Sequence, residues 1–269
     1  MKSILLHIAN DRAMPARLQA ALDLARATGG HVTCLQAISY EVFAPGDFYG
    51  SAMAAAMPVI KEAAEKQRAE LEAELANEDV SWDWRLVYGA AENRLLELAA
   101  LHDIVLVGPH DAGEDGRGPS SLVGTLVLKA PIPVLVVPGH SKRLDVGAPV
   151  LVGWNGSAEA CVALRQAVPL LKQASRVYLA TVEEARGRFD FPPLEGAQYL
   201  SRHGIEAELV EIPRGDARIS DTLFSAAQMR GCGLLVMGAY GHSRFAEMLF
   251  GGVTRHSLTD PQMPMFLAH

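Results

Sequence analysis

Cysteine is scarce: three in 269 residues, at positions 34, 161 and 232, with no Cys-x-x-Cys pair. An odd number of distant cysteines argues against a disulfide framework and fits no zinc spacing. Cys34 and Cys161 lie in apolar patterns that predict buried, inert thiols, whereas Cys232, between Gly231 and Gly233, is expected to be partly exposed. Long apolar runs are missing as well. Nothing approaches the roughly 18 consecutive apolar residues of a membrane-crossing helix. Surplus positive charge is also lacking: the net charge of −7 disfavours a protein that holds nucleic acid on a basic face. The opening Met1-Lys-Ser-Ile-Leu-Leu-His reads as a strand rather than a signal peptide. The expected location is therefore the cytoplasm, with neither membrane nor nucleic acid as partner.

Catalytic signatures are absent too. There is no Gly-x4-Gly-Lys-(Ser/Thr) loop of a P-loop hydrolase and no Gly-x-Gly-x-x-Gly after a first strand. A Gly-x-Ser-x-Gly nucleophile elbow, a paired-histidine metal motif and the His-x-Gly-His and Ser-Gly-Gly-x-Asp-Ser loops of adenylate-forming proteins are likewise missing. No base and nucleophile are nominated together, so the reading leans away from an enzyme, and no metal is expected.

What is present is an ordinary globular composition, 49% hydrophobic and 20% charged, written as one design twice. Val150-Leu-Val-Gly-Trp, Asn155-Gly-Ser and a helical pattern repeat Ile4-Leu-Leu-His-Ile, Asn10-Asp and a helical pattern. Second strands follow at 32–38 and 177–182, and third strands at 82–87 and 207–212. Asp103-Ile-Val-Leu-Val-Gly108 answers Gly233-Leu-Leu-Val-Met-Gly238, and Pro133-Val-Leu-Val-Val137 answers Pro264-Met-Phe-Leu-Ala268. Near-continuous apolar strands alternating with helices predict parallel sheets covered on both faces. The fold class is α/β: two tandem doubly wound domains, each a mainly parallel five-stranded sheet. The polar, proline-bounded stretch from Pro138 to Pro149 separates them, giving domains of 1–143 and 147–269. The halves differ in their middles. Residues 51–77 read as one long amphipathic helix, and the counterpart at 183–204 is interrupted by Pro192-Pro193.

The most informative stretch follows the second copy's fourth strand. Gly238 and Gly241 are separated by two residues, and nine more lead to Gly251, Gly252, Val253 and Thr254. Glycines at a strand end and a helix start let a phosphate approach backbone N–H groups. His242 and Arg244 add donors or positive charge. The spacing resembles the Gly-x2-Gly-x9-Gly-(Ser/Thr) nucleotide loop of the universal stress protein family. It matches at Gly238, Gly241 and Gly251 and departs at Gly252, where the family has a hydroxyl residue. The resemblance gives the acidic residue after the first strand to the nucleoside, a place held here by Asn155. It also implies that terminal strands pair between the halves, which makes the chain a covalently joined pseudo-dimer.

Losing the hydroxyl at position 252 costs a hydrogen bond worth roughly 1.5 to 3 kcal/mol, or about one to two decades of affinity. The first copy departs further. After Gly108 come Pro109, His110 and Asp111, then twelve residues to Gly124-Thr125. Pro109 lacks an N–H, and Asp111, Glu114 and Asp115 face a single Arg117. The resemblance therefore implies weak binding of ATP or another adenine nucleotide in the C-terminal domain only, through Asn155, Gly238, Gly241, His242, Gly251, Gly252 and Val253. It also implies a regulatory or protective stress-response role, with slow ATP hydrolysis at most. Two other readings stay open: a nucleotide-independent module that binds a protein partner on the tandem surface or the long helix, and an enzyme acting on a small anionic substrate. Further association into a homodimer is left open with them.

Overall fold

In the computed structural model, the residues described are 1–38, 47–111, 120–182, 191–213, 215–239, 258 and 261–269; between 47 and 56 only the backbone is described. The N-terminal half runs β1 (Ser3–Ile8), α1 (Met14–Thr28), β2 (His31–Ile38), α2 (Asp47–Leu75), β3 (Ser81–Tyr88), α3 (Ala91–Ala99), β4 (Ile104–Val107), α4 (Ser121–Lys129) and β5 (Val134–Val136). The C-terminal half follows with β6 (Val150–Gly153), α5 (Ala158–Leu171), β7 (Val177–Val182), α6 (Pro193–Arg202), β8 (Ala207–Ile212), α7 (Ile219–Met229), β9 (Leu234–Gly238) and β10 (Met265–Ala268).

Local chemistry sets several boundaries. Pro15 sits in the first turn of α1, where its missing N–H costs nothing, and Gly29 ends that helix at φ 58°, a left-handed conformation suited to glycine. The Ser157 hydroxyl accepts from the Ala160 amide 3.2 Å away and starts α5. Pro193 opens α6, so the proline pair shortens that helix from its N-terminal side.

Within each half, neighbouring strands are parallel. The full sheet has the order β3-β2-β1-β4-β5-β10-β9-β6-β7-β8. The halves meet where β10 runs antiparallel to β5, with Met265 opposite Val136 and Leu267 opposite Val134. The expected pairing of terminal strands is therefore found, and the two five-stranded sheets become one of ten strands. Two apolar cores, one on each face, both draw residues from both halves. Phe266, fully buried, stands on one face at the seam. The connecting stretch is tied down as well, since Leu144 donates its amide to Asp23 in α1 at 2.9 Å.

In this strand order the chain leaves β1 toward β2 and later returns to its other side at β4. That switch opens a crevice beyond the carboxyl ends of the strands, where ligands of open parallel sheets bind. Each half has one such place, beside β1 and β4 or beside β6 and β9.

Candidate functional site

In the C-terminal half the structure brings Asn155 and Gly238 to the first turn of α5. The Asn155 Oδ1 accepts from the Ser157 amide at 3.1 Å, closing the turn that leads into the helix. Gly238 ends β9 so close to that turn that a Cβ would lie 2.5 Å from the Ala160 nitrogen and 2.8 Å from the Glu159 carbonyl oxygen. Glycine is needed there for strand and helix to meet. Trp154 is buried, donating its ring N–H to the Phe191 carbonyl at 3.1 Å, and serves packing. The remaining sequence-predicted loop residues, Gly241, His242, Arg244, Gly251, Gly252, Val253 and Thr254, lie outside the described residues.

The equivalent place in the N-terminal half holds a cavity of about 620 Å³. It is bounded by the ends of β1 and β2 (His7, Ile8, Gln36), by α2 (Ile60, Ala64) and by Gly108. Gly108 occupies the position that Gly238 has in the other half. A Cβ on it would meet the Arg17 guanidinium at 2.5 Å. Arg17, in the first turn of α1, has no exposed surface. It donates to the His7 carbonyl at 2.8 Å and to Asp11 Oδ2 at 2.8 Å, so a buried cation is neutralised at once. Asp11 is the counterpart of Asn155, because its Oδ1 accepts from the Ala13 amide at 2.8 Å in the same kind of turn. Cys161 stands where Arg17 does, three residues into its helix. The carboxylate that the C-terminal half lacks is thus present here, but Arg17 claims it.

The start of α4, where a phosphate would be received, is also taken. Asp111 accepts from the Ser121 amide at 2.9 Å, the Ser121 hydroxyl at 2.8 Å and the Leu122 amide at 3.4 Å, and the Ser120 hydroxyl donates to it as well. The Ser120 hydroxyl accepts from the Val123 amide at 3.1 Å, and the Gly124 amide bonds back to the Ser120 carbonyl at 3.2 Å. The donors that a helix start leaves open are therefore satisfied by the chain itself. Gly124-Thr125 lies inside the helix rather than at its start. Burial alone would push the Asp111 carboxyl up, but these hydrogen bonds outweigh it and hold it below the ordinary aspartate value.

No lysine or arginine is among the described residues lining the cavity, whereas Asp11, Glu92 and Asp111 all reach it. Burial, assisted by Arg17, depresses the His7 imidazole to about 3, so it is neutral near pH 7. Two like charges about 4 Å apart repel by about 1 kcal/mol in water and about 4 kcal/mol near a protein surface. A phosphate placed beside Asp111 meets that cost with no lysine or arginine among the described lining residues to offset it.

Sequence reasoning passed over Arg17 and Gln36. Arg17 falls four residues before Ala21 and eight before Ala25, on the apolar stripe of α1, and a charge there signals a buried partner. Gln36 interrupts the apolar run of β2 in the same way. The cysteine expectations need a correction: Cys232 is buried, with its thiol pushed up to about 11 by that burial, and Cys161 is the partly exposed one. Gly233, next to Cys232, packs against Ala148 of the connecting stretch, a contact invisible in local sequence. Among the described residues no group of three or more His, Cys, Asp or Glu could hold a metal, and no helix is long and apolar enough to cross a membrane.

Comparison with known proteins agrees with this architecture. Residues 1–138 match the model of the universal stress protein family. A universal stress protein from Archaeoglobus fulgidus DSM 4304 shares the fold with a TM-score of 0.74 at 14% identity, over 98% of this chain and 97% of that one. A functionally unknown protein from Pseudomonas aeruginosa PAO1 aligns with a TM-score of 0.62 at 17% identity, over 100% and 92% of the two chains. No match emerges among curated proteins.

Proposed function

The chain belongs to the universal stress protein family, and from that premise we propose that its halves have divided roles: the C-terminal half binds an adenine nucleotide weakly, and the N-terminal half binds none. The observation that carries this reading is the asymmetry at the two crevices. In the N-terminal half the chain's own carboxylate, Asp111, occupies the start of α4, and the Arg17–Asp11 pair presses on Gly108. The corresponding residues of the C-terminal half, Gly241, Cys161 and Asn155, bring no charge. Gly238 supports the site indirectly, by letting β9 and α5 close up, rather than by giving way to a ligand. Asn155 keeps a hydrogen-bonding side chain beside the nucleoside position.

A regulatory or protective role in the cytoplasm during stress is the reading that family membership supports. The missing hydroxyl at Gly252 lowers the affinity by about one to two decades. Isothermal titration of the full chain with ATP tests the proposal. Gly241→Trp is expected to abolish the heat, and Asp111→Asn to leave the C-terminal binding in place. Absence of heat at millimolar ATP sinks the nucleotide reading and leaves the protein-interaction module in its place.

A further inference from the structure

β3 is an edge strand of the ten-stranded sheet, and its pairing with β2 assembles a polar group at the amino ends of both strands. The crevice of this half lies at the opposite, carboxyl ends. The parallel register sets His31 abreast of Ser81 and Thr33 abreast of Asp83. The imidazole spans two residues of β3: His31 Nδ1 lies 2.7 Å from the Ser81 hydroxyl, and Nε2 lies 2.8 Å from Asp83 Oδ1. We propose that Ser81, His31 and Asp83 form an acyl-transfer site, in which Ser81 takes the acyl group of a small carboxylic ester.

Hydrogen bonding fixes where the protons sit. Thr33 donates its hydroxyl to Asp83 Oδ1 at 2.7 Å, and Arg85 Nε donates to Oδ2 at 3.2 Å. Burial alone would push the Asp83 carboxyl up, but the hydrogen bonds from His31, Thr33 and Arg85 outweigh it and hold it below the ordinary aspartate value. A carboxylate only accepts. The neutral imidazole therefore turns its N–H at Nε2 to Asp83 and leaves the Nδ1 lone pair for the Ser81 hydroxyl. A nucleophile and a base within roughly 2.6 to 3.2 Å, with a third group orienting the base, is the arrangement that activates a serine. The side chains of His31 and Asp83 are 43% and 39% exposed and Ser81 is exposed too, so an ester reaches them from solvent.

In the acylation step Ser81 Oγ attacks the ester carbon while His31 Nδ1 takes the hydroxyl proton. The carbon–oxygen bond to the alcohol then breaks, the imidazolium returns the proton to the departing oxygen, and acyl-serine remains. Water repeats the sequence in place of Ser81, releasing the acid and restoring the hydroxyl. Asp83 stabilises the imidazolium and holds the ring, as a positioning residue. The other half shows that the fold does not demand this trio. By the registers of β7 with β6 and β8, the same places hold Arg176, Tyr178, Glu206 and Glu208, with neither a histidine nor a serine among them. Strand pairing at this edge is thus achieved without the relay.

The full chain treated with p-nitrophenyl acetate, digested and mapped by mass spectrometry over time tests the site. Ser81 is expected to gain acetyl roughly 10²-fold or more faster than Ser201, an exposed serine on α6, because general-base assistance contributes about 10² to 10⁴. His31→Gln is expected to erase that advantage. Asp83→Asn is expected to slow Ser81 by at least about tenfold while circular dichroism reports an unchanged fold. Nitrogen NMR of the imidazole adds a readout that mere strand pairing would not move: the proton is expected on Nε2 in the wild type, with that preference weakened in Asp83→Asn. Acetylation of Ser81 no faster than of Ser201 overturns the proposal, as does a wild-type His31 with its proton on Nδ1. Both of these are read on the unaltered chain, so they stand even where a variant fails to fold. Nucleotide binding in the C-terminal half enters none of these measurements, and its failure leaves this inference untouched.

Discussion

A guanidinium without exposed surface, Arg17, organises one half of the molecule, and its counterpart in the other half is a cysteine. Removing one partner of a buried pair leaves an uncompensated charge, a loss of roughly 3 to 5 kcal/mol. Arg17→Met is therefore expected to destabilise the protein by about 3 kcal/mol in urea denaturation. Adding Asp11→Asn should restore most of that, since the C-terminal half already folds with Asn155 and Cys161 in these places. Failure of the second change to rescue would show that Arg17 stabilises by something other than answering Asp11. His7 carries a pH prediction. Its folded value near 3 lies below the unfolded 6.5, so the unfolded chain binds the extra proton. The contribution is intact above about pH 6.5 and is lost as the pH falls toward 3. Between pH 7 and pH 5 the loss comes to about 2 kcal/mol, and His7→Gln should flatten that part of the profile. Asp111 shares the direction but acts in a lower window, below the ordinary aspartate range, so the two are separable. Arg17 was hard to foresee because only its partner Asp11 and the strand end at Gly108 reveal what it does.

At the scale of elements, the two strand-to-helix junctions show how much a glycine pair can mean. Gly238 reads in sequence as a ligand approach point, yet its neighbours are the backbone atoms of α5. Gly238→Ala is expected to force β9 and α5 apart and to cost roughly 1 to 3 kcal/mol of stability, measured by chemical denaturation. A variant of unchanged stability would return Gly238 to a ligand-facing role. Strands and helices themselves were legible, because apolar runs and 3.6-residue periodicity come from burial on a sheet with two covered faces. The long helix at 51–77 matches α2, and the Pro192-Pro193 interruption matches the late start of α6. The capping of α4 by Asp111 was not legible in detail. A like-charge cluster there predicted repulsion of phosphate, but only the fold shows the carboxylate seated on the helix amides that a phosphate would need.

The whole molecule is a pair of halves locked by a short antiparallel seam. The repeat in the sequence made that arrangement readable, because each half alone would leave its last strand as an open edge. Phe266 is fully buried at the seam, and Phe266→Asp should place a charge in the shared core. Loss of the cooperative unfolding transition, with association on gel filtration as β5 loses its partner, is the expected outcome. A monomeric, cooperatively folding variant would mean that the halves hold together without β10. Under the proposed division of roles, the same duplication allows one site to drift while the other is kept. One half retains its carboxylate and fills its own phosphate place, whereas the other keeps the loop glycines and gives up a hydroxyl. A crystal structure of the full chain grown with millimolar ATP tests that division most directly. Nucleotide against the loop from Gly241 to Gly252, with the start of α4 still held by Asp111, is the predicted result. Triphosphate bound in the N-terminal cavity with Asp111 displaced would contradict it.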